Sequence, residues 1–408
     1  LFYTLTMLPA LISLLPLKKI NAQASMDKGM TGLAEFVIKR KNFLLFSTAA
    51  LVVVLIFGIT KISLEDDFLR YFDEKYELRQ SIDYYEENFG GLNALEYSVN
   101  SGIENGINNP AYLQKVSDLV EFMRSQPEVT SVRSYTDVVK RLNQNFNNDN
   151  DSFYKIPTSE LEAAQYLFLY ELSLGYGLDL TDQINVNKSA LRVTTNVANA
   201  TTKEFLNLDK RIQGWFAENA PELMTKSTGP SQVFSQISSR DVPAMLKGTG
   251  LALIGISFII LLVIRNVKYG LMSLIPNLLP AAMAFGLWGY YTGAVTLAVS
   301  IVVAMTLGIV VDDSVHFMLK YAKARKNGKT PEDSVREAFQ KVGMALTTTT
   351  IGLFLGFCVL AQSGFAVNKD MAQLTAITVV FALVVDYLLL PPVLIWIDNF
   401  KLKRSASA

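Results

Sequence analysis

The chain has 408 residues, half of them hydrophobic and 18% charged, with 37 Lys and Arg against 37 Asp and Glu. That is too apolar for one soluble domain and too charged for a bundle of bare membrane helices. No basic face is paired with aromatic platforms, which argues against nucleic-acid binding, and a single cysteine, Cys358, excludes an internal disulfide framework and a cysteine-based metal site.

Residues 1–17 are apolar and carry Pro9 and Pro16. No positively charged segment precedes them, so they do not read as a signal peptide. They read as the end of a preceding transmembrane helix, which makes the chain the C-terminal part of a longer protein. Residues 18–42 are polar and basic, with Lys18, Lys19, Lys28, Lys39, Arg40 and Lys41, and read as a cytoplasmic linker. Residues 43–60 form an apolar run of about the length a span requires.

Residues 61–240 differ in character, with 17 Lys and Arg against 26 Asp and Glu, a net of −9 that the flanks balance. They read as a water-soluble domain. Strands are expected at residues 92–99, 129–135, 190–198 and 223–227. Helices are expected at 110–125, 136–142, 159–174 and 202–218, with a polar loop at 143–151. The order is β-α-β, a helical insertion, then β-α-β, which suggests two small α+β units of ferredoxin-like type, each with helices on one face of its own sheet. Phe89-Gly90-Gly91 reads as a turn. No nucleophile lies beside a base here, because the sole histidine, His316, is far away in a membrane helix, so the chain does not read as an enzyme.

Five further spans follow in the 246–397 region: 246–264, 271–291 with Pro276 and Pro280, 294–320, 342–360 and 371–397. The connection at 320–341 is basic and contains Thr330-Pro331-Glu332-Asp333, a cap, a Pro at the first helical position and early acids, all marks of a helix start. Residues 398–408 form a basic tail. Positive charge gathers at 18–41, 265–268, 320–341 and 401–404, whereas the alternating connections hold only Lys369. The positive-inside rule therefore puts both ends of the six spans in the cytoplasm and the acidic domain outside, in the periplasm of a bacterial inner membrane. Leu8-Pro9-Ala10-Leu11-Ile12 echoes Leu390-Pro391-Pro392-Val393-Leu394-Ile395, as parallel transporter repeats do.

The fourth span ends in Asp312 and Asp313, with His316 one turn on. A charge in a span costs at least about 2.5–3.5 kcal/mol, so intramembrane acids are expected to serve proton relays, ion paths or counter-ions. Neighbouring residues lie about 100° apart around a helix, so the two acids cannot point the same way. The alternative is a solvated pair at the interface. His316 is placed to meet either acid and to pass protons toward the cytoplasm. Thr347, Thr348 and Thr350, within the run 347–350, are candidates to hydrogen-bond the acids from a packed helix. Asp386 lies in the middle of the last span as a further relay or structural contact.

The run LIPNLLPAAMAFGLWGYYTGAVTLAVSIVVAMTLGIVVDDSVHF, the threonine run before Ile351-Gly352, and Asp386-Tyr387-Leu388-Leu389-Leu390-Pro391 resemble the MMPL-type, Patched-related branch of the RND superfamily. The order of one span, a large external domain and five spans matches one half of such a permease. The resemblance implies proton-driven export of lipids or other hydrophobic molecules. Asp312 and Asp313 fall on the relay motif, whose counterpart would lie in the other half of the protein. The absence of Lys from 294–319 separates the chain from the drug-efflux branch. No cofactor or metal is implied. The implied partners are membrane lipids or hydrophobic small molecules, the N-terminal half, and a second copy or a periplasmic protein. Two other roles fit the resemblance: a non-transporting, lipid-sensing scaffold and an accessory of protein translocation.

Overall fold

The computed structural model describes residues 2–14, 23–175, 178–198, 200–264 and 266–406. Pro16, Lys18, Lys19 and Arg265, read above as a span end and boundary cations, lie outside the described residues. Among the described residues, six helices are long and apolar enough to cross a membrane: Lys41–Lys61, Pro230–Leu262, Val267–Tyr291, Leu297–Lys326, Pro331–Leu360 and Ala366–Asn399. They correspond one for one to the six spans read from the sequence.

Helices α1 (Phe2–Leu14) and α2 (Gln23–Lys39) precede α3 (Lys41–Phe57), the first span. A two-residue strand β1 (Ser63–Leu64) and helix α4 (Glu77–Phe89) lead into the inter-span domain. Its strands are β2 (Asn93–Asn100), β3 (Val129–Arg133), β4 (Ala190–Val197) and β5 (Ser227–Thr228). Helix α5 (Pro110–Arg124) joins β2 to β3, α6 (Tyr135–Phe146) and α7 (Glu160–Ser173) fill the connection from β3 to β4, and α8 (Thr202–Asn219) joins β4 to β5.

The two β-α-β passages do not build a sheet each, as the sequence suggested. They interleave into one antiparallel sheet of order β3-β4-β2-β5. The reason is the length of β2 and β4, which pair from Asn93↔Val197 to Asn100↔Ala190. A two-stranded ribbon is marginal in water, whereas four strands backed by helices seal a core. Leu95, Tyr97 and Val99 of β2 alternate inward and meet Leu113, Val116 and Val120 of α5 and Phe205, Leu208 and Ile212 of α8. Tyr135 and Val139 of α6 and Leu167 of α7 join the same core.

The second span starts earlier than residue 246. Helix α9 (Pro230–Gln236) runs through a π-helical turn, Ile237–Asp241, into α10 (Val242–Ile264). Pro230 at its first turn has no N–H to lose there. Next, α11 (Val267–Met272) and α12 (Leu274–Tyr291) break at Ser273, which puts Pro276 in the first turn of α12, where no N–H is needed. The fourth span also differs at its start: Ala294–Val295 is a strand, β6, and α13 runs from Leu297 to Lys326, capped by Thr296. Then come α14 (Pro331–Ala338), a π-helical turn Phe339–Gly343, and α15 (Met344–Leu360). The last span is α16 (Ala366–Val384), a π-helical turn Val385–Leu389, and α17 (Leu390–Ala406). Pro391 and Pro392 cannot donate to the carbonyls four residues back, and the ladder widens just before them, with the Leu390 N–H reaching Val385 O.

Small residues set the closest crossing. A methyl group on Gly286 would stand 1.8 Å from Leu55 O, and one on Gly289 would stand 2.2 Å from Gly58 O. The first and third spans therefore pack backbone to backbone.

Candidate functional site

The two adjacent acids of α13 diverge, as their angular separation requires. Asp312 faces outward with its side chain 75% exposed, and its Oδ1 lies 3.3 Å from Nε2 of His316, itself 56% exposed. His316 thus pairs with Asp312. Asp313 is half-buried and lies within electrostatic reach of the last span.

Asp386 lies in the π-helical turn of that span and is only 2% exposed. Asp313 lies within electrostatic reach of it. Its Oδ1 is buried without a hydrogen-bond partner among the described residues. A buried, unsatisfied carboxylate oxygen is costly, and a π turn re-aims a side chain that a regular helix would place elsewhere. Asp313 and Asp386 therefore form an inner carboxylate pair, while Asp312 and His316 form an outer pair on the far side of the same helix.

Thr347 and Thr348 bond to groups other than the acids. The Thr347 hydroxyl lies 2.9 Å from the Tyr387 Oη and 3.1 Å from Gly343 O. Tyr387 also donates to Gly343 O, so the residue beside Asp386 is pinned to the start of α15. Thr348 is exposed and donates to Met344 O at 2.9 Å, while Thr350 is buried. Thr347 thus fixes Tyr387 and, through it, the turn that holds Asp386. Asn277 of α12 meets the acid helix directly, its Oδ1 accepting from Ser314 Oγ at 2.7 Å. Among the described residues, no cluster of three or more His, Cys, Asp or Glu could hold a metal ion.

Two further groups escaped sequence reasoning. The first is a collar at the end of the bundle nearest the inter-span domain. Strand β1 pairs in parallel with β6, Ser63 against Ala294 and Leu64 against Val295. Asp66 then accepts from the Leu297 N–H at 3.2 Å, which caps α13, and from the Tyr71 Oη at 2.7 Å. Burial, with this carboxylate second, pushes the Tyr71 phenol up from its usual range. Tyr71 O accepts from the Ala366 N–H at 2.6 Å, and Lys369 pairs with Asp73 at 3.0 Å, so the same segment grips the start of α16. Phe68 stacks on Phe234 of α9 with ring centroids 4.8 Å apart. The only signal for this in the sequence is a dense run of acids and aromatics after the first span, which solvent-exposed loops also show.

The second group is at the opposite end. Asp398, 4% exposed, accepts from Tyr269 at 3.1 Å, from Tyr321 at 2.8 Å and from Arg325 at 2.8 Å, and pairs with Lys268. It ties α11, α13 and α17 together. In the sequence it looks like the first residue of a solvated tail.

These features can be set beside known proteins. The model of the MMPL family matches residues 181–407, more than half of the chain. The chain belongs to the MMPL family. Its match takes in the last third of the inter-span domain, from before β4, and the last five spans of this MMPL protein. A protein of Methanocaldococcus jannaschii named as a membrane protein is 22% identical over 294 residues, 71% of this chain and 72% of that one. The cryo-EM structure of the hedgehog release protein Disp from the water bear Hypsibius dujardini matches with a TM-score of 0.54 at 12% identity, over 94% of this chain and 51% of Disp. The MMPL chain thus spans about half the length of Disp. At that identity the likeness concerns the fold, which is consistent with a membrane helical bundle of the RND type.

Proposed function

We propose that this MMPL protein is part of an RND-type transporter that uses the proton-motive force to export a hydrophobic or lipid-like substrate. It would act in the bacterial inner membrane, with the inter-span domain in the periplasm. The observation that supports this reading is Asp386, 2% exposed with one orphaned oxygen, in the π turn of the last span, with the half-buried Asp313 of α13 within electrostatic reach. Carboxylates placed so are costly unless they work. When both are ionised they repel. Taking up a proton removes that repulsion and lets α13 and the π turn of the last span approach. Asp312 and His316, on the exposed side of α13, would continue the path toward a facing helix of such a transporter.

A closing of that kind has a route to the periplasmic side. The start of α13 is held by Asp66, and Asp66 belongs to the collar that grips α16 and touches α9. Helix α9 is continuous with the second span and contacts both the sheet, Ser231 Oγ lying 3.0 Å from Asn93 Oδ1 of β2, and α8, where Gln232 donates to Asp209 at 3.2 Å. A shift of α13 would be transmitted through this rod to the domain. Membrane lipids or other hydrophobic molecules are the substrate class, and the chain would act as a transporter rather than an enzyme.

The test is substrate efflux by the full-length protein in proteoliposomes with an imposed pH gradient. Asp313→Asn and Asp386→Asn should each abolish gradient-driven transport, and Asp312→Asn should reduce it. Wild-type transport in both inner-pair variants would overturn the mechanism. Substrate binding without any dependence on the gradient would favour a lipid-sensing scaffold instead.

A further inference from the structure

Where the bundle meets the inter-span domain lies a cavity of about 380 Å³, bounded by the segment after β1, by α9, and by the starts of α8, α13 and α16. Its wall holds four carboxylates, Glu65, Asp66, Asp67 and Asp370, and one cation, Arg70. Asp66 is occupied by the Tyr71 hydroxyl and the Leu297 N–H. Asp67 accepts from the Leu69 N–H at 3.1 Å and holds Arg70 at 3.2 Å, and Glu86 lies 3.7 Å from the same guanidinium. Glu65 and Asp370 are partly buried and have neither a hydrogen bond nor an ion pair among the described residues. Lys369, the neighbour of Asp370, is taken by Asp73 at 3.0 Å and is not part of the wall. Ser235 of α9 is 8% exposed, and its hydroxyl too has no partner among the described residues. The hydroxyl of Ser238, one turn on, is sealed from solvent; that of Ser235 is not, and Ser235 lines the cavity.

Two carboxylates without a counter-charge in a partly enclosed space attract a cation, because burial weakens their hydration and no protein group replaces it. A metal ion does not suit the wall: among the described residues, no cluster of three or more His, Cys, Asp or Glu could hold one. An organic ammonium does. Its N–H groups can be shared between two carboxylates and a hydroxyl, and Phe68, Phe205, Phe234 and Val367 give an apolar surface for its carbon body. The volume falls in the range of small-molecule sites, roughly 300–1,000 Å³, whose walls are mostly apolar with a few convergent polar groups. We propose that this cavity binds an amphiphile with a primary ammonium head, held by Glu65, Asp370 and the Ser235 hydroxyl. The site is built from residues other than the Asp313–Asp386 pair and does not depend on proton coupling.

The experiment uses the full-length protein in nanodiscs of uncharged lipid and three photoactivatable diazirine probes of equal chain length: a primary alkylammonium, an alkyltrimethylammonium and an alcohol. Labelling is mapped by mass spectrometry to α9 and the start of α16. The primary ammonium should label roughly tenfold more than the alcohol, the preference that hydrogen bonds to charged groups confer. Glu65→Gln combined with Asp370→Asn should bring that ratio to about one. Ser235→Ala should lower labelling by the primary ammonium roughly two- to fivefold and leave the trimethylammonium, which has no N–H to donate, unchanged. Equal labelling by ammonium and alcohol in the wild type overturns the proposal, as does an ammonium preference that survives the double substitution. Displacement of the ammonium by micromolar calcium would make this a metal site and overturns it as well. Should the double variant fail to fold, unchanged primary-ammonium labelling in Ser235→Ala overturns it equally.

Discussion

Neighbouring residues in this chain have opposite environments, and their expected behaviour differs accordingly. Asp386 has an oxygen that no described group satisfies. Asp386→Asn removes the buried charge at nearly constant shape, so thermal stability should hold or rise while proton-driven transport is lost; a melting curve beside a transport assay checks both. In the inter-span core, Tyr97 donates to Asp209 at 2.8 Å. Tyr97→Phe keeps the ring and loses the bond, which should cost about 1 kcal/mol in chemical denaturation of the protein. Glu86 gives a pH signature. Burial raises its carboxyl above the usual range, against a smaller opposite effect of Arg70 at 3.7 Å. Its folded form binds the proton more tightly than the unfolded one, so this group's stability contribution is present in acid and is lost as pH rises through the folded value. Glu86→Gln should therefore melt higher than wild type at pH 7, and the gain should vanish near pH 4, around the ordinary glutamate value.

Helices meet in two different ways in the bundle. The first and third spans cross through glycines, and a methyl group on Gly286 would strike the Leu55 carbonyl at 1.8 Å, a backbone atom that cannot move aside alone. Gly286→Ala is expected to lower folded yield sharply in size-exclusion chromatography, while Gly308→Ala, with nothing within 4 Å, should not. At the other end, α11, α13 and α17 meet through charge. Asp398→Ala leaves Lys268 and Arg325, both partly buried, without their shared partner. The expected loss is roughly 3 kcal/mol, read as a lower unfolding midpoint, because a buried cation left unpaired costs more than the pair contributed. The π turns belong to this scale too: the one that carries Asp386 exists because two prolines follow it.

Across the whole molecule the collar joins what the sequence separates. Asp66 lies 231 residues from Leu297, whose N–H it accepts. Asp66→Ala should leave proton uptake at the carboxylate pair intact, seen as the pH-dependent infrared signal of the carboxyl groups, and should still cut transport, because α13 would no longer pull on the segment that contacts α9. Loss of both signals together would mean that the collar holds the fold rather than transmits its motion. The sequence by itself determined the six spans, the α+β domain between the first two, and Asp312 and Asp313 as the acids to examine. Apolar run length, charge and periodicity are local properties, and a membrane span satisfies its backbone within itself. Tertiary structure decided that the two β-α-β passages share one sheet, since pairing of β2 with β4 depends on residues a hundred positions apart. It also decided that Asp312 is exposed beside His316 while Asp313 is half-buried within electrostatic reach of Asp386, that Thr347 serves Tyr387 rather than an acid, and that Asp66 and Asp398 are buried hubs. Each of those outcomes follows from which helix faces which, and a carboxylate carries no mark in sequence of whether its neighbour in space is water, a cation or another carboxylate.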